Sequence, residues 1–155
     1  MCMISMTCTK NLKNVIQIGI VVNDVENVAR KWCMILGLEK PKIIETDDWS
    51  KTKAMYRGKP AGKAKLAFIE LDNIVIELIE PIDGDSTWST YLKNYGQGVH
   101  HIAFKVENVD ECIEKLKNIG GDIEQLGYFE NGMYIYVDTR KSLGTVIEFL
   151  KFFDN

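Results

Sequence analysis

The sequence predicts an α+β fold in which two tandem βαβββ modules build one curved mixed sheet around a central metal cleft. Three observations carry that expectation. The chain repeats itself, because the strand over residues 15–22 and the capped helix after it reappear over residues 98–106 and the helix that follows. Both first strands alternate with period two, which places Gln17, Gly19 and Val21 on one face and, in the second copy, His101, Ala103 and Lys105 on one face. Two other apolar runs each hold one carboxylate at their centre, Glu77 in Val75-Ile76-Glu77-Leu78-Ile79 and Glu148 in Val146-Ile147-Glu148-Phe149-Leu150. A charge among such neighbours is costly unless it is paired, neutralised or bound to a metal.

The elements follow in order. After the first strand, Asp24 is placed to cap a helix whose apolar stripe is Val25, Val28, Ala29, Trp32, Cys33, Ile35 and Leu36, and Gly37 ends it. A short strand is expected around residues 43–45. Residues 46–63 are polar and read as a loop, with a frayed strand around 54–56. Residues 65–71 and 74–80 read as a hairpin across Asp72-Asn73, and Pro81 closes the first half. Residues 83–98 link the halves and hold a helical turn over 87–92. In the second half Asn108 matches Asp24, Val109 matches Val25 and Gly121 matches Gly37. Strands over 122–126, 133–137 and 145–150 follow, with a turn over 138–144. The expected organisation is a lead-in over 1–13, then one domain over 14–152: module one 14–82, linker 83–97, module two 98–152.

At 155 residues, 46% hydrophobic and 10% aromatic, the chain can bury a core of this size. A net charge of −3 with mixed signs gives no electrostatic case for nucleic acid or an anionic membrane. No apolar run approaches the roughly 20 residues that span a bilayer. The N-terminal residues lack a basic start followed by a long apolar block, which argues against a secretory signal. Cys2, Cys8, Cys33 and Cys112 show no CxxC pairing, so free thiols and a reducing cytoplasm are expected.

Each half thus offers one nitrogen or amide donor on its first strand and one carboxylate on its last. Brought together across a pseudo-twofold axis, Gln17, Glu77, His101 and Glu148 form a donor set for one divalent ion of borderline hardness, Co, Zn, Ni or Mn. His100 is expected on the face opposite His101, with a structural role. Trp88, Tyr91, Tyr134, Arg57, Lys63 and Arg140 are candidates for a substrate pocket. No phosphate-binding glycine motif is present, and no nucleophile with an adjacent base.

Paired modules with the strands GVHHIAFKV and IVIELIEP resemble the vicinal oxygen chelate superfamily, which includes glyoxalase I, methylmalonyl-CoA epimerase, extradiol dioxygenases and bleomycin-resistance proteins. The resemblance covers residues 14–152 and is strongest to the epimerases. It implies a glyoxalase-like fold, a homodimer and metal ligation by Gln17, Glu77, His101 and Glu148. It also implies proton transfer α to a thioester carbonyl, with Glu148 the first choice of base and Glu77 the second group. The pattern departs from the epimerases at Gln17, where they usually carry His, and near Ala61, where their second acid–base glutamate would fall. A glyoxalase I-type lyase acting on a hemithioacetal is the alternative enzyme. A non-catalytic small-molecule binding protein of the bleomycin-resistance type is the alternative of another class.

Overall fold

In the computed structural model, which describes residues 12–154, ten strands form one strongly curled mixed sheet. Strands β1 (Gln17–Val21) and β7 (Gly98–Lys105) lie antiparallel at its centre. Outward from β1 come β6 (Val75–Pro81), parallel, then β5 (Ala64–Glu70) and β2 (Ile44–Glu45), each antiparallel to its neighbour. Outward from β7 come β10 (Thr145–Phe152), parallel, then β9 (Gly132–Thr139) and β8 (Asp122–Phe129), again antiparallel. The same sequence of pairings runs in both directions from the centre, which is what a duplicated βαβββ unit requires. The expected lead-in lies almost wholly outside the described residues.

The helices form where the caps and apolar spacing place them. Asp24 accepts from the Asn27 amide at 3.1 Å to open α1 (Val25–Leu36), and Asn108 accepts from the Glu111 amide at 3.1 Å to open α4 (Val109–Lys117). Such caps contribute about 1 kcal/mol each. Helix α1 buries Val25, Ala29 and Cys33, at i, i+4 and i+8, on Ala67, Ile69, Ile76 and Leu78 of β5 and β6. Ile35 falls off that stripe and is 74% exposed, so the buried face is narrower than the sequence suggested. Helix α4 buries Ile113 and Cys112 against Ile135, Val137, Ile147 and Phe149. Cys112 is disulfide-bonded, a correction to the expected free thiol, while Cys33 is a buried free thiol. Disulfide pairing depends on the approach of two Cα atoms in space, which spacing alone does not reveal.

The inner face of the sheet is left to a third cluster. Helix α3 (Thr87–Tyr95), opened by a Ser86–Ser89 capping box, sets Trp88 against Val21, Ile79, Tyr136 and Val146. Residues 46–63, expected as a loop with a frayed strand around 54–56, hold that strand as β3 (Met55–Tyr56), paired in a hairpin with β4 (Lys59–Pro60), and also a short helix that was not expected, α2 (Trp49–Thr52). This hairpin leaves its own half and pairs with β8 of the other. Strands β8 and β9 also run further than expected, to either side of a tight turn at Glu130-Asn131. No helix among the described residues is long and apolar enough to cross a membrane.

Candidate metal centre

Strand register brings the four donors together on the inner face. Gly19 of β1 lies between Glu77 of β6 and His101 of β7, and Ala103 of β7 lies between Gln17 of β1 and Glu148 of β10. Residues in register across a sheet share a face, so all four side chains point the same way. The two small residues between them leave room. A Cβ on Gly19 would overlap the His101 ring, so only glycine fits beneath the imidazole.

Glu77, His101 and Glu148 each offer a ligand atom, and these atoms lie within 4.8 Å of one another. The Gln17 Oε1 stands 3.3 Å from His101 Nε2, which adds the amide to the same point. All four residues are buried, His101 completely. Glu148 Oε2 lies 2.9 Å from His101 Nε2 but is not aligned with it as a hydrogen bond, and this buried oxygen is left without a partner. Burial, and then the facing Glu148 carboxylate, push the Glu77 carboxyl well above the usual carboxylate range. Two enclosed carboxylates, one with an orphaned oxygen, beside an imidazole and an amide are a donor set that fits a divalent cation.

The surroundings hold that geometry. Tyr136 packs its ring against His101 at 4.9 Å and takes a hydrogen bond from Trp88 Nε1 at 3.2 Å. Tyr134 takes one from Gln125 Nε2 at 3.0 Å. Burial, ahead of the nearby carboxylates, pushes the Tyr136 phenol well up, so it stays a neutral donor. His100 is also buried beside the site, its Nδ1 2.9 Å from His101 Nδ1, and burial, followed by His101 and Arg140, holds its ring well below the usual imidazole range. This corrects the expectation that His100 faces away. Gly19 pairs with His101 but Ile20 pairs with Val99, so His100 is the extra residue of a β-bulge that interrupts the alternation.

A cavity of about 480 Å³ opens onto this centre. Gln17 and Glu77 line it, whereas His101 and Glu148 are not among its lining residues. Its walls are mainly apolar and aromatic, including Leu66, Phe68, Trp88, Tyr134 and Phe152. Lys63 also lines it and is engaged by Glu45 at 2.8 Å and Asp48 at 3.3 Å. Of the other expected pocket residues, Arg57, Tyr91 and Arg140 lie elsewhere. Arg57 and Arg140 pair with the buried Glu124 at 3.5 and 3.1 Å, and Tyr91 donates to the Val99 carbonyl. The reading of the sequence missed Tyr136, although its alternation with Tyr134 along β9 points it to the same face. It also missed Gln125, which no local pattern marks.

A duplicated βαβββ sheet curled around a buried imidazole, amide and carboxylate pair defines a paired-module protein that builds one site from two halves. Residues 16–137 match the Glyoxalase/Bleomycin resistance protein/Dioxygenase superfamily, and the chain belongs to it. Over 108 residues it is 28% identical to human mitochondrial methylmalonyl-CoA epimerase, covering 69% of this chain and 54% of that protein. It is 31% identical over 91 residues to the uncharacterized protein YqjC of Bacillus subtilis, covering 56% and 64%. The chain thus spans about half to two thirds of the length of these curated relatives. A probable lactoylglutathione lyase of Synechocystis is 26% identical over 135 residues, covering 84% of this chain and 88% of that one. The crystal structure of methylmalonyl-CoA epimerase from Mycobacterium tuberculosis superposes with a TM-score of 0.60 at 16% identity, covering 97% and 92%, and shares the fold.

Proposed function

We propose that this chain is a divalent-metal-dependent isomerase of the methylmalonyl-CoA epimerase type, moving a proton on the carbon α to a thioester carbonyl. The observation that carries the reading is the convergence of Glu77, His101 and Glu148 within 4.8 Å in a buried pocket, with Gln17 on the same ring nitrogen. These four residues would hold Co, Zn, Ni or Mn in the divalent state. The bound ion supplies Lewis-acid stabilisation of negative charge developing on a carbonyl oxygen. Everything else falls to the chain. The sequence made Glu148 the first choice of base, but Glu77 is the carboxylate that lines the cavity, so we assign to it the proton on one face of the α carbon of a substrate seated there. Glu148, its counterpart across the pseudo-twofold, is the second acid–base group that inversion at one carbon needs. The apolar walls exclude water from the enolate and receive the acyl substituent.

The test is metal analysis of the purified protein, followed by stripping, reloading and turnover of racemic methylmalonyl-CoA in deuterated water. Bound ion and ion-dependent deuterium incorporation at the α carbon are expected, with incorporation lost in Glu77→Ala and in Glu148→Ala. An ion-loaded protein that exchanges no α proton refutes the epimerase reading. The likeness to the Synechocystis lyase spans most of both chains and favours a second reading, a glyoxalase-type lyase. It predicts turnover of the methylglyoxal–glutathione hemithioacetal instead. A protein that binds no ion and turns over neither substrate is the small-molecule binding protein.

A further inference from the structure

We propose that His100 is a positioning residue for the metal centre: its Nδ1 accepts the His101 Nδ1–H, which turns the Nε2 lone pair of His101 toward Glu77 and Glu148. The inference rests on the metal reading for its consequence but on the hydrogen-bond geometry for its content.

Two ring nitrogens 2.9 Å apart share one proton between them. One ring therefore donates and the other accepts, and that choice fixes both tautomers. If His101 donates from Nδ1, its Nε2 is free to ligate. His100 then carries its proton on Nε2, and that atom lies 2.8 Å from Thr87 Oγ1, a hydroxyl able to accept it. Thr87 is itself held, because its amide donates to Gln125 Oε1 at 2.9 Å at the first turn of α3. Every step of the chain from Gln125 to His101 is closed by a protein partner, and Thr87, His100, His101 and Gln125 are all at most 1% exposed. The opposite polarity would place a proton on His101 Nε2, in the space between Glu148 and Gln17. Glu148 Oε2, at 2.9 Å, is not aligned to receive it. As the amide is placed, Gln17 Oε1 at 3.3 Å could take that proton; with its oxygen and nitrogen exchanged the amide donates its NH2 to the lone pair instead, and that orientation is the one proposed for the metal-free chain.

The bulge is what makes this possible. In an unbroken strand, neighbours point to opposite faces and two adjacent histidines cannot meet through Nδ1 atoms. The extra residue at His100 re-aims its ring beneath α3, where it stands at 85° to His101 and is bounded edge-on by Tyr91 and Tyr136, each 5.3 Å away. A metal-bound histidine commonly donates its second N–H to a carboxylate or carbonyl. Here another imidazole takes that place.

Three variants and one spectrum test the inference. His100→Asn keeps an acceptor near the Nδ1 position, His100→Gln keeps polarity only near the Nε2 position, and His100→Leu keeps neither. Titration of the metal-stripped chain with Co²⁺, followed by calorimetry and by the visible absorption of the bound ion, is expected to leave Asn within a few-fold of wild type. Gln and Leu are expected to weaken binding about 10- to 100-fold, the usual effect of removing such a partner. Leu binding Co²⁺ as wild type does, or Asn losing as much as Leu, overturns the proposal. Ring ¹⁵N NMR of the metal-free wild type reads the same feature without an ion, with a proton on His101 Nδ1 and on His100 Nε2 expected. The reversed pair, protons on His100 Nδ1 and His101 Nε2 only, overturns the proposal even if Co²⁺ binds. A wild type that shows the expected tautomers yet binds no Co²⁺ sinks the metal reading and leaves the hydrogen-bond assignment standing.

Discussion

Replacing Glu77 by Gln should stabilise the metal-free protein at neutral pH while weakening what an ion adds. Burial first, and then the facing Glu148, disfavours the Glu77 charge; with oxygens no more than 4.8 Å apart, the repulsion alone is at least about 3 kcal/mol at an effective dielectric of about 20. The direction with pH follows from the raised Glu77 pKa. Below the unfolded-state value, about 4.3, both states hold the proton and no penalty exists. Between that value and the higher folded value, the native state binds a proton that the unfolded state has released, so stability falls as pH rises. Above the folded value the penalty is complete. Gln keeps the shape and removes the charge, but its buried amide needs partners, at a cost of about 1 kcal/mol or more. A net gain of about 2 kcal/mol remains, or about 4–8 °C in Tm for a chain of this size. Thermal melts at pH 5 and pH 8, in EDTA and in excess Zn²⁺, measure it. In EDTA the variant should exceed wild type at pH 8 and converge with it at pH 5. In Zn²⁺ its gain should be smaller than that of wild type. A variant that melts at or below wild type in EDTA at pH 8, with the pH slope unchanged, refutes the premise that the two carboxylates strain one buried site.

Gly19→Ala puts a methyl into the space of the His101 ring, so a loss of about 1–3 kcal/mol in urea unfolding and at least a tenfold loss of Co²⁺ affinity are expected. Arg140→Met leaves the buried Glu124 with only the more distant Arg57, and a cost of about 3 kcal/mol is expected in the same assay. Asp138 behaves oppositely to Glu77. Its bidentate hydrogen bonds from Arg140 hold its pKa below the usual value, so its contribution is present above about pH 4 and is lost as pH falls through the lower folded value. Asp138→Asn should therefore flatten the acid limb of the stability profile below pH 4.

What the sequence made legible was whatever its local periodicity could express. The duplicated order of strand and helix and both N-caps follow from spacings of two, three or four residues, and the structure has them, while Glu77 and Glu148 stand out as lone charges in continuous apolar runs and are both buried. The misses are non-local or break the period. The β3–β4 hairpin pairs with a strand 69 to 71 residues away in sequence, as Met55 with Leu126 and Tyr56 with Gln125, so residues 46–63 show the strand around 54–56 but nothing of its partner. The His100 bulge violates the alternation on which its assignment to the far face rested. The turn between β8 and β9 falls on Glu130-Asn131, with Gly132 already paired to Phe129 and no positive φ at any of the three, so the Asn-Gly pair is not its centre. Strands expected over 122–126 and 133–137 stop short of that turn because Gly127 and the polar Glu130-Asn131 interrupt the apolar pattern.

The register that brings the four side chains together bears on one asymmetry of the proposed metal centre. Gln17 and His101 occupy equivalent places about the axis between β1 and β7, as do Glu77 and Glu148, yet the first pair differs in chemistry. A perfect repeat would put two imidazoles on the centre, each needing its own partner on the far nitrogen. Only β7 carries the bulge that supplies one, through His100, and β1 has no extra residue opposite it. An amide at position 17 has no second ring nitrogen to satisfy, and its NH2 can find an acceptor without a bulge in β1. Gln17→His alone therefore adds an unsupported imidazole. It should bind Co²⁺ no better than wild type in the titration used for His100. A large gain in affinity would show that the ring at position 17 finds a partner by rearrangement, and would remove the bulge from the explanation.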